Sequence, residues 1–155
     1  MASRRNALNH MMILQILLMT CFVLLGQCVK QEKTEDPKGL AKIAINASLA
    51  EGSKILSYVH ELKSSDESKK SDISSAFNDC DEEYTEAIEN LKEAATTLDK
   101  GDYNKVNMLV STAMTNGDTC ENGFTDMEIT SPLTKQNSYF SELCSNVLAI
   151  TKQLA

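Results

Sequence analysis

The feature of this sequence that most constrains its fold is an apolar series between Ile73 and Leu98 in which the spacing alternates between four and three residues. That spacing places every member on one side of an α-helix, as in a helix packed within a left-handed bundle. The series comprises Ile73, Phe77, Cys80, Tyr84, Ala87, Leu91, Ala94 and Leu98, and the opposite side carries Glu82, Glu83, Glu86, Glu89 and Glu93. Because one apolar side must be buried against other elements, the segment predicts a helical bundle.

Helical spacing recurs on both sides of this series. A first helix is expected from Pro37 to about Leu62, with Gly52 weakening its middle, and a polar linker follows at residues 63–70. After a stop at Gly101, Asp102 is expected to cap a third helix. The expected inward faces are Leu40, Ile43, Ala44, Ala47, Ile55, Val59 and Leu62 in the first helix and Tyr103, Val106, Leu109, Val110 and Ala113 in the third.

The last part of the chain predicts a fourth helix after an interruption. The third helix is expected to falter at Asn116-Gly117, and residues 121–130 look irregular. Ser131-Pro132 then provides a cap and a first-turn proline. The expected inward face of the fourth helix is Leu133, Phe140, Leu143, Val147, Ile150 and Leu154. Four helices with short links predict an all-α, up-down-up-down four-helix bundle at residues 37–155.

The N-terminal segment is typical of a secretory signal peptide. Arg4 and Arg5 precede an apolar run at residues 11–25, and small or polar residues follow at 26–28. The run is shorter than the ~20 residues of a membrane-spanning helix. We therefore predict a signal peptide at residues 1–28, a short linker at 29–36 and a secreted domain; a signal anchor is the alternative.

Removal of residues 1–28 would leave 13 lysines, no arginine and 22 acidic residues, a formal charge of −9. Such a charge excludes nucleic acid as a partner, because its phosphates require a basic surface. It favours a basic protein partner, although acidity that only maintains solubility explains the composition equally well. No stable membrane association is expected after signal cleavage.

Three cysteines certainly belong to the predicted mature chain: Cys80, Cys120 and Cys144. An oxidising compartment favours one disulfide and leaves one thiol. Cys80 lies early in the second predicted helix and Cys120 at the end of the third, and antiparallel neighbours bring those ends together. A bridge there would close a loop of about 40 residues and contribute roughly 4 kcal/mol. Cys144 falls within the fourth helix, where a buried free thiol is expected.

Residues that could support catalysis or hold a metal are not arranged for it in the sequence. The predicted mature chain has one histidine, His60, which we interpret as a surface residue of the first helix. No zinc-ligand spacing, glycine-rich phosphate loop or nucleophile motif occurs. The carboxylates of Asp79, Asp81, Glu82 and Glu83 splay around a helix axis, so they predict a solvated face rather than a metal site. We expect no enzyme, cofactor or metal, and Asn46-Ala47-Ser48 is a candidate N-glycosylation motif.

Several segments in order resemble one known family. Residues 39–44, 76–84, 110–115, 119–124 and 131–137, together with 148–152, resemble the plant invertase and pectin methylesterase inhibitor family, in particular its pollen-allergen branch. The resemblance implies a four-helix bundle in which Cys80 and Cys120 are bonded. It also implies a cell-wall protein that binds pectin methylesterase or acid invertase stoichiometrically and covers its substrate cleft.

Two departures from the family pattern bear on function. Members usually carry an N-terminal helical hairpin with its own cysteine pair, for which this sequence leaves residues 29–36 and at most Cys28. Inhibitors of invertase can present Pro-Lys-Phe between the second and third bundle helices, where this chain has Asp102, Tyr103, Asn104 and Lys105. Because the tripeptide is absent, we expect pectin methylesterase rather than invertase as the target. The turn at residues 102–105 is the candidate segment for contact with that target. The rival interpretation is a non-inhibitory, allergen-like bundle that kept only the fold.

Overall fold

The computed structural model describes residues 36–65 and 71–155, which form four α-helices and no strand. The helices are α1 Pro37–Ser64, α2 Ser71–Lys100, α3 Tyr103–Asp126 and α4 Thr134–Thr151. The predicted all-α four-helix bundle is confirmed. The predicted signal peptide and nearly all of the 29–36 linker lie outside the described residues, as do residues 66–70. None of the described helices combines the length and apolar character needed to cross a membrane.

The four helices form a ring in which each packs against two neighbours. Within the described chain, α1 and α3 each pack along α2 and α4. The backbones of the diagonal pairs do not approach closely, although side chains of α2 and α4 meet across the core. Cross-links at one end of the bundle show the directions. Lys42 Nζ near the start of α1 lies 3.0 Å from Asp99 Oδ1 at the end of α2. Thr151 at the end of α4 donates to Asn107 near the start of α3. Adjacent helices are therefore antiparallel.

The apolar series of α2 forms the centre of the core, as its spacing predicts. Its members from Phe77 to Leu98 are buried, and Ile73 is half-buried. Aromatic rings bind α2 to the other helices through edge-to-face contacts. The ring centroids lie 5.3 Å apart both for Phe77 with Phe124 of α3 and for Tyr84 with Phe140 of α4. Such pairs stabilise a core beyond the area they bury.

The inward face of α1 differs from the prediction. Ile43, expected in the core, is 67% exposed. The buried residues of α1 are Ala41, Ile45, Ser48, Gly52, Ile55 and Val59. The small residues Ser48 and Gly52 belong to this face because α4 packs closely there: a Cβ on Gly52 would lie 3.2 Å from the Phe140 ring. The apolar pattern missed Ser48 and Gly52 because neither has an apolar side chain.

The prediction that α3 falters at Asn116-Gly117 is wrong, because the helix continues to Asp126. A helical glycine costs about 1 kcal/mol relative to alanine. Here Gly117 lies under the ring of Phe140, and Cys120 and Phe124 beyond it are fully buried. Burial of a side chain such as Phe contributes about 1.5–3 kcal/mol, so tertiary contacts exceed the local preference. Most of the segment predicted as irregular is therefore helical.

The fourth helix begins later than predicted. Ser131 Oγ accepts from the Leu133 backbone N–H at 3.1 Å within a turn, and helix starts only at Thr134. The inward face also differs, since Leu143 and Ile150 are only half-buried. The described buried set of α4 contains the polar residues Asn137 and Thr151 together with Phe140, Cys144 and Val147. Apolar spacing gives no information on buried polar residues. Asn137 and Thr151 can be buried because each forms a hydrogen bond with a residue of another helix.

Candidate protein-docking face

A disulfide joins the N-terminal part of α2 to the C-terminal part of α3. Cys80 and Cys120 are bonded, with Cα atoms 4.5 Å apart, and both are fully buried. The predicted bridge is thus confirmed. Together with the tight packing of α2 on α3, it holds the outer surfaces of these two helices in one fixed arrangement.

A chain of polar contacts beneath this surface attaches α4 to it. Tyr84 Oη donates to Asn137 Oδ1 at 2.6 Å, and Asn137 Nδ2 donates to Glu121 Oε2 at 2.6 Å. The Thr134 hydroxyl donates to Glu121 Oε1 at 2.6 Å. Burial raises the pKa of Tyr84, so its hydroxyl stays a donor. The motif search missed this network, because its members are scattered over three helices.

The outer side of α3 is largely uncharged, with the exposed Asp118 near its C-terminal end as the exception. Residues 106–117 contain no charged side chain, which is unusual for a helix with an exposed face. The Thr115 hydroxyl donates to the Ser111 carbonyl at 3.1 Å, and that of Thr119 to the Thr115 carbonyl at 2.9 Å. We name as the α3 strip the exposed residues Asn104, Met108, Ser111, Thr112, Thr115, Thr119 and Asn122.

A row of exposed carboxylates runs along the outer side of α2, between α1 and α3. Within the described residues Asp79, Glu82, Glu86 and Glu89 form no ion pair, whereas Glu93 is bound to Lys105. Glu83 points towards α3 and accepts from Asn116 Nδ2 at 2.6 Å. The exposed members, called the α2 carboxylate row, are Asp79, Glu82, Glu86, Glu89 and Glu93. Asp79 and Glu93 lie beside α3, next to Gly123 and Lys105 respectively, whereas Glu89 lies towards α1.

The turn at residues 102–105 closes one end of this surface. Gly101 has φ of 79°, a left-handed conformation that glycine adopts readily. Asp102 caps α3 by accepting from the Lys105 backbone N–H at 3.0 Å. The Lys105 ammonium lies 2.6 Å from Glu93 Oε1, and that bond raises the pKa of Lys105. Tyr103 is half-buried, so Asn104 is the member of the turn that extends the α3 strip.

His60 lies on the surface of α1, as the sequence indicates, and contacts Asp81 of α2. Its Nε2 is 2.9 Å from Asp81 Oδ1, and Lys63 binds the other carboxylate oxygen. The Lys63 hydrogen bond, opposed by burial and assisted by His60, lowers the pKa of Asp81. These contacts link two helices. Among the described residues, no group of His, Cys, Asp or Glu is arranged to hold a metal ion.

The remaining predicted site residues lie away from the α3 strip. Cys144 is a free, fully buried thiol of α4, and burial raises its pKa to about 12. Asn46 is exposed on α1. The structure thus groups the turn with the α3 strip and separates both from Cys144 and Asn46. The strip itself was missed by motif reasoning, although the uncharged run at 106–117 was a readable signal.

Comparison with known proteins gives one consistent family. The profile described as "Plant invertase/pectin methylesterase inhibitor" matches residues 19–150. The match starts before residue 39, where the motif resemblance begins, and inside the predicted signal peptide. A protein of Platanus acerifolia named "Putative invertase inhibitor" is 33% identical over 134 residues, covering 82% of this chain and 74% of the relative. A "Pectinesterase inhibitor" of Actinidia deliciosa is 29% identical over 122 residues, covering 78% and 65%.

Solved structures show the same similarity in three dimensions. The crystal structure of a pectin methylesterase inhibitor from Arabidopsis thaliana superposes with a TM-score of 0.73 at 26% sequence identity. The superposition covers 87% of this chain and 88% of that one. The arrangement of the bundle is therefore shared at low sequence identity.

Proposed function

We propose, because this chain belongs to the plant invertase/pectin methylesterase inhibitor family, that it is exported and blocks the substrate cleft of a pectin methylesterase by one-to-one binding. The family and the relatives indicate an inhibitor of pectin methylesterase or invertase, not an enzyme. Export, the one-to-one complex and the covered cleft are the parts that we add. The single observation that carries the docking mode is the α3 strip.

The α3 strip has the composition of an interface core. Interfaces are depleted of charge at their centre and bordered by polar residues, which is the relation between the strip and the α2 carboxylate row. Thr112, Thr115 and Thr119 are β-branched, and their hydroxyls are bound to backbone carbonyls. Their side chains therefore have little rotamer freedom to lose on binding. The disulfide beneath the strip also limits backbone rearrangement.

The charges around the α3 strip favour a basic target. Glu82, Glu86 and Glu89 are exposed and lack an ion pair within the described residues. Complementary charge on a target would raise the association rate and orient the encounter. We further propose that the turn formed by Asp102, Tyr103, Asn104 and Lys105 contacts the target at the edge of this interface, mainly through Asn104.

Acid invertase is the second candidate target, favoured by the 33% identity to the Platanus protein. Insertion of the turn into the active site of invertase would require a side chain of the turn that projects freely from it. The Lys105 ammonium is instead bound to Glu93, and Asp102 is engaged in capping α3. The structure therefore supports docking by the side of α3 more than insertion of the turn.

Titration of the purified protein against pectin methylesterase and acid invertase, near pH 5 and near pH 7, tests the proposal. We expect loss of pectin methylesterase activity at an equimolar ratio. Thr115→Arg at the centre of the α3 strip should weaken inhibition at least about tenfold, since one disrupted central contact commonly costs more than ~1.4 kcal/mol.

Ala50→Arg on α1 is the control. Ala50 is an exposed helical residue that does not line the groove between α1 and Glu89 of α2. The Ala50 variant should inhibit like the parent chain. Equal inhibition by the Thr115 and Ala50 variants would refute docking through α3, and no inhibition of either enzyme would favour the non-inhibitory bundle.

A further inference from the structure

We propose that Asn46 carries an N-linked glycan, attached before α1 folds, on the side of the bundle away from the α3 strip. The inference rests on the export part of the proposed function, because the modification requires entry into the secretory pathway. Asn46-Ala47-Ser48 is the N-x-Ser/Thr motif of the chain. Three properties of the folded bundle define where the glycan lies and when it is added.

The Asn46 amide is accessible. The residue is exposed on the outer side of α1, and the structure records no hydrogen bond to its side chain within the described residues. Its helical neighbour one turn earlier is Ile43, which is 67% exposed. A glycan on Asn46 therefore has space to extend into solvent. Its first sugars would lie beside an apolar side chain that the bundle leaves uncovered.

The third residue of the motif is inaccessible in the folded chain. Ser48 is fully buried, and its hydroxyl donates to the Ala44 carbonyl at 3.1 Å. Residues two apart on a helix point in different directions, so Asn46 and Ser48 cannot face one enzyme site together. The motif can be recognised only while residues 46–48 are outside a helix. Glycosylation must therefore precede closure of α1 onto α4.

The position of α1 keeps the glycan away from the proposed interface. Within the described residues α1 packs along α2 and α4, and its backbone does not approach that of α3. Asn46 lies on the outer side of α1, whereas the α3 strip lies on the outer side of the diagonally opposite helix. A glycan at Asn46 can therefore coexist with a bound target.

The reaction is a substitution at a sugar carbon. The Nδ2 atom of Asn46 forms a bond to C1 of an oligosaccharide carried on a lipid pyrophosphate. The bond from C1 to the phosphate oxygen breaks, the lipid pyrophosphate leaves with the electron pair, and the amide loses one proton. No oxidant or reductant is needed.

Expression of the full chain in plant cells, followed by intact mass of the exported protein with and without N-glycanase, tests the site. The parent and Ser48→Thr should lose a glycan mass on digestion, whereas Asn46→Gln and Ser48→Ala should show no shift. Ser48→Thr is the matched control, since it keeps the motif. Exported parent protein without a glycan, or a glycan that persists in Asn46→Gln, would overturn the site and leave the inhibition proposal standing. Retention of the chain inside the cell would overturn both.

Timing is tested with solubilised oligosaccharyltransferase and lipid-linked oligosaccharide. The native unglycosylated chain should not be modified, whereas the same chain kept unfolded by reduction and alkylation of its cysteines should be. Equal modification of both forms would contradict the order of events.

The placement of the glycan is tested by inhibition of the target enzyme. The glycosylated parent and Asn46→Gln should have Kd values for the enzyme within about twofold of each other, and a tenfold difference would place the glycan at the interface.

Discussion

At the residue scale, Gly117 shows that tertiary packing can require a residue whose own helix propensity is unfavourable. It lies in the middle of α3, where alanine would form helix more readily. A Cβ there would lie 3.0 Å from Phe140 Cδ1 and 3.4 Å from Tyr84 Oη. Both rings are fully buried and packed against each other, so neither can move freely. Glycine is therefore required by the neighbouring helices.

Gly117→Ala should lower the free energy of unfolding by about 1–2 kcal/mol, because overpacking costs more than the gain in helix propensity. Gly123→Ala on the same helix is the matched control. Among the described residues its Cβ would have one neighbour within 4 Å outside the helix backbone, Asp79 Oδ2 at 3.9 Å, so stability should rise by about 0.5–1 kcal/mol. Urea denaturation of both variants measures the difference. A shift of the same sign in the two would contradict this account of Gly117.

At the element scale, Asp81 links α1 to α2 near one end of the bundle. Its carboxylate is bound by Lys63 and His60, and its side chain is 27% exposed. The Lys63 hydrogen bond lowers the pKa of Asp81 from its ordinary 3.8. A lowered carboxyl pKa stabilises the folded state above the ordinary value, and that stabilisation disappears as pH falls through the lowered pKa. The stabilisation that Asp81 contributes is therefore fully present at neutral pH and is lost in acid.

Asp81→Asn should reduce the free energy of unfolding by about 1 kcal/mol near pH 7, the order expected of a partly exposed ion pair. The difference from the parent chain should shrink as pH falls below 3.8 and through the lowered pKa of Asp81. Glu82→Gln serves as control, because the neighbouring carboxylate is exposed and has no ion pair in the described residues. Thermal unfolding at several pH values measures both. A deficit of Asp81→Asn that stays constant with pH would disprove the electrostatic origin.

The whole molecule has its disulfide and its tightest packing on the same side. The bond between Cys80 and Cys120 joins the two helices that carry the α2 carboxylate row and the α3 strip. The motif Asn46-Ala47-Ser48 lies on the diagonal helix. The up-down topology therefore places the disulfide on the proposed binding side and the proposed glycosylation site on another side of the bundle.

Cys80→Ala should lower the free energy of unfolding of the whole bundle by about 2–5 kcal/mol, since it releases a loop of the unfolded chain. Cys144→Ala should cost less, about 1 kcal/mol, because it removes only a small buried side chain from α4. Chemical denaturation without reductant compares them. Equal losses would show that the bond between α2 and α3 contributes nothing beyond the volume of its sulfur atoms.

The local signals in the sequence were sufficient for the class of fold and for α2. An alternation of four and three residues can be read without its partners, because it records one helix side. Asp102 and Gly101 were readable for the same reason: a cap and a left-handed turn are local. Gly117 was misread because its environment is set by Phe140 on another helix. Ile43 was misread because Gly52, which packs closely against Phe140, belongs to the buried side of α1.

By itself, the sequence determined that this chain is an acidic, all-helical bundle with one cysteine pair at adjacent helix ends and no catalytic motif. Only the tertiary structure decided which side of α1 is buried and that α3 continues to Asp126. It also decided that a largely uncharged strip of α3 faces solvent beside carboxylates most of which form no ion pair within the described residues. The physical reason is the range of the interactions. Periodicity, capping and charge are properties of neighbouring residues, whereas close packing around Phe140 and the polar chain from Tyr84 to Glu121 join helices distant in sequence.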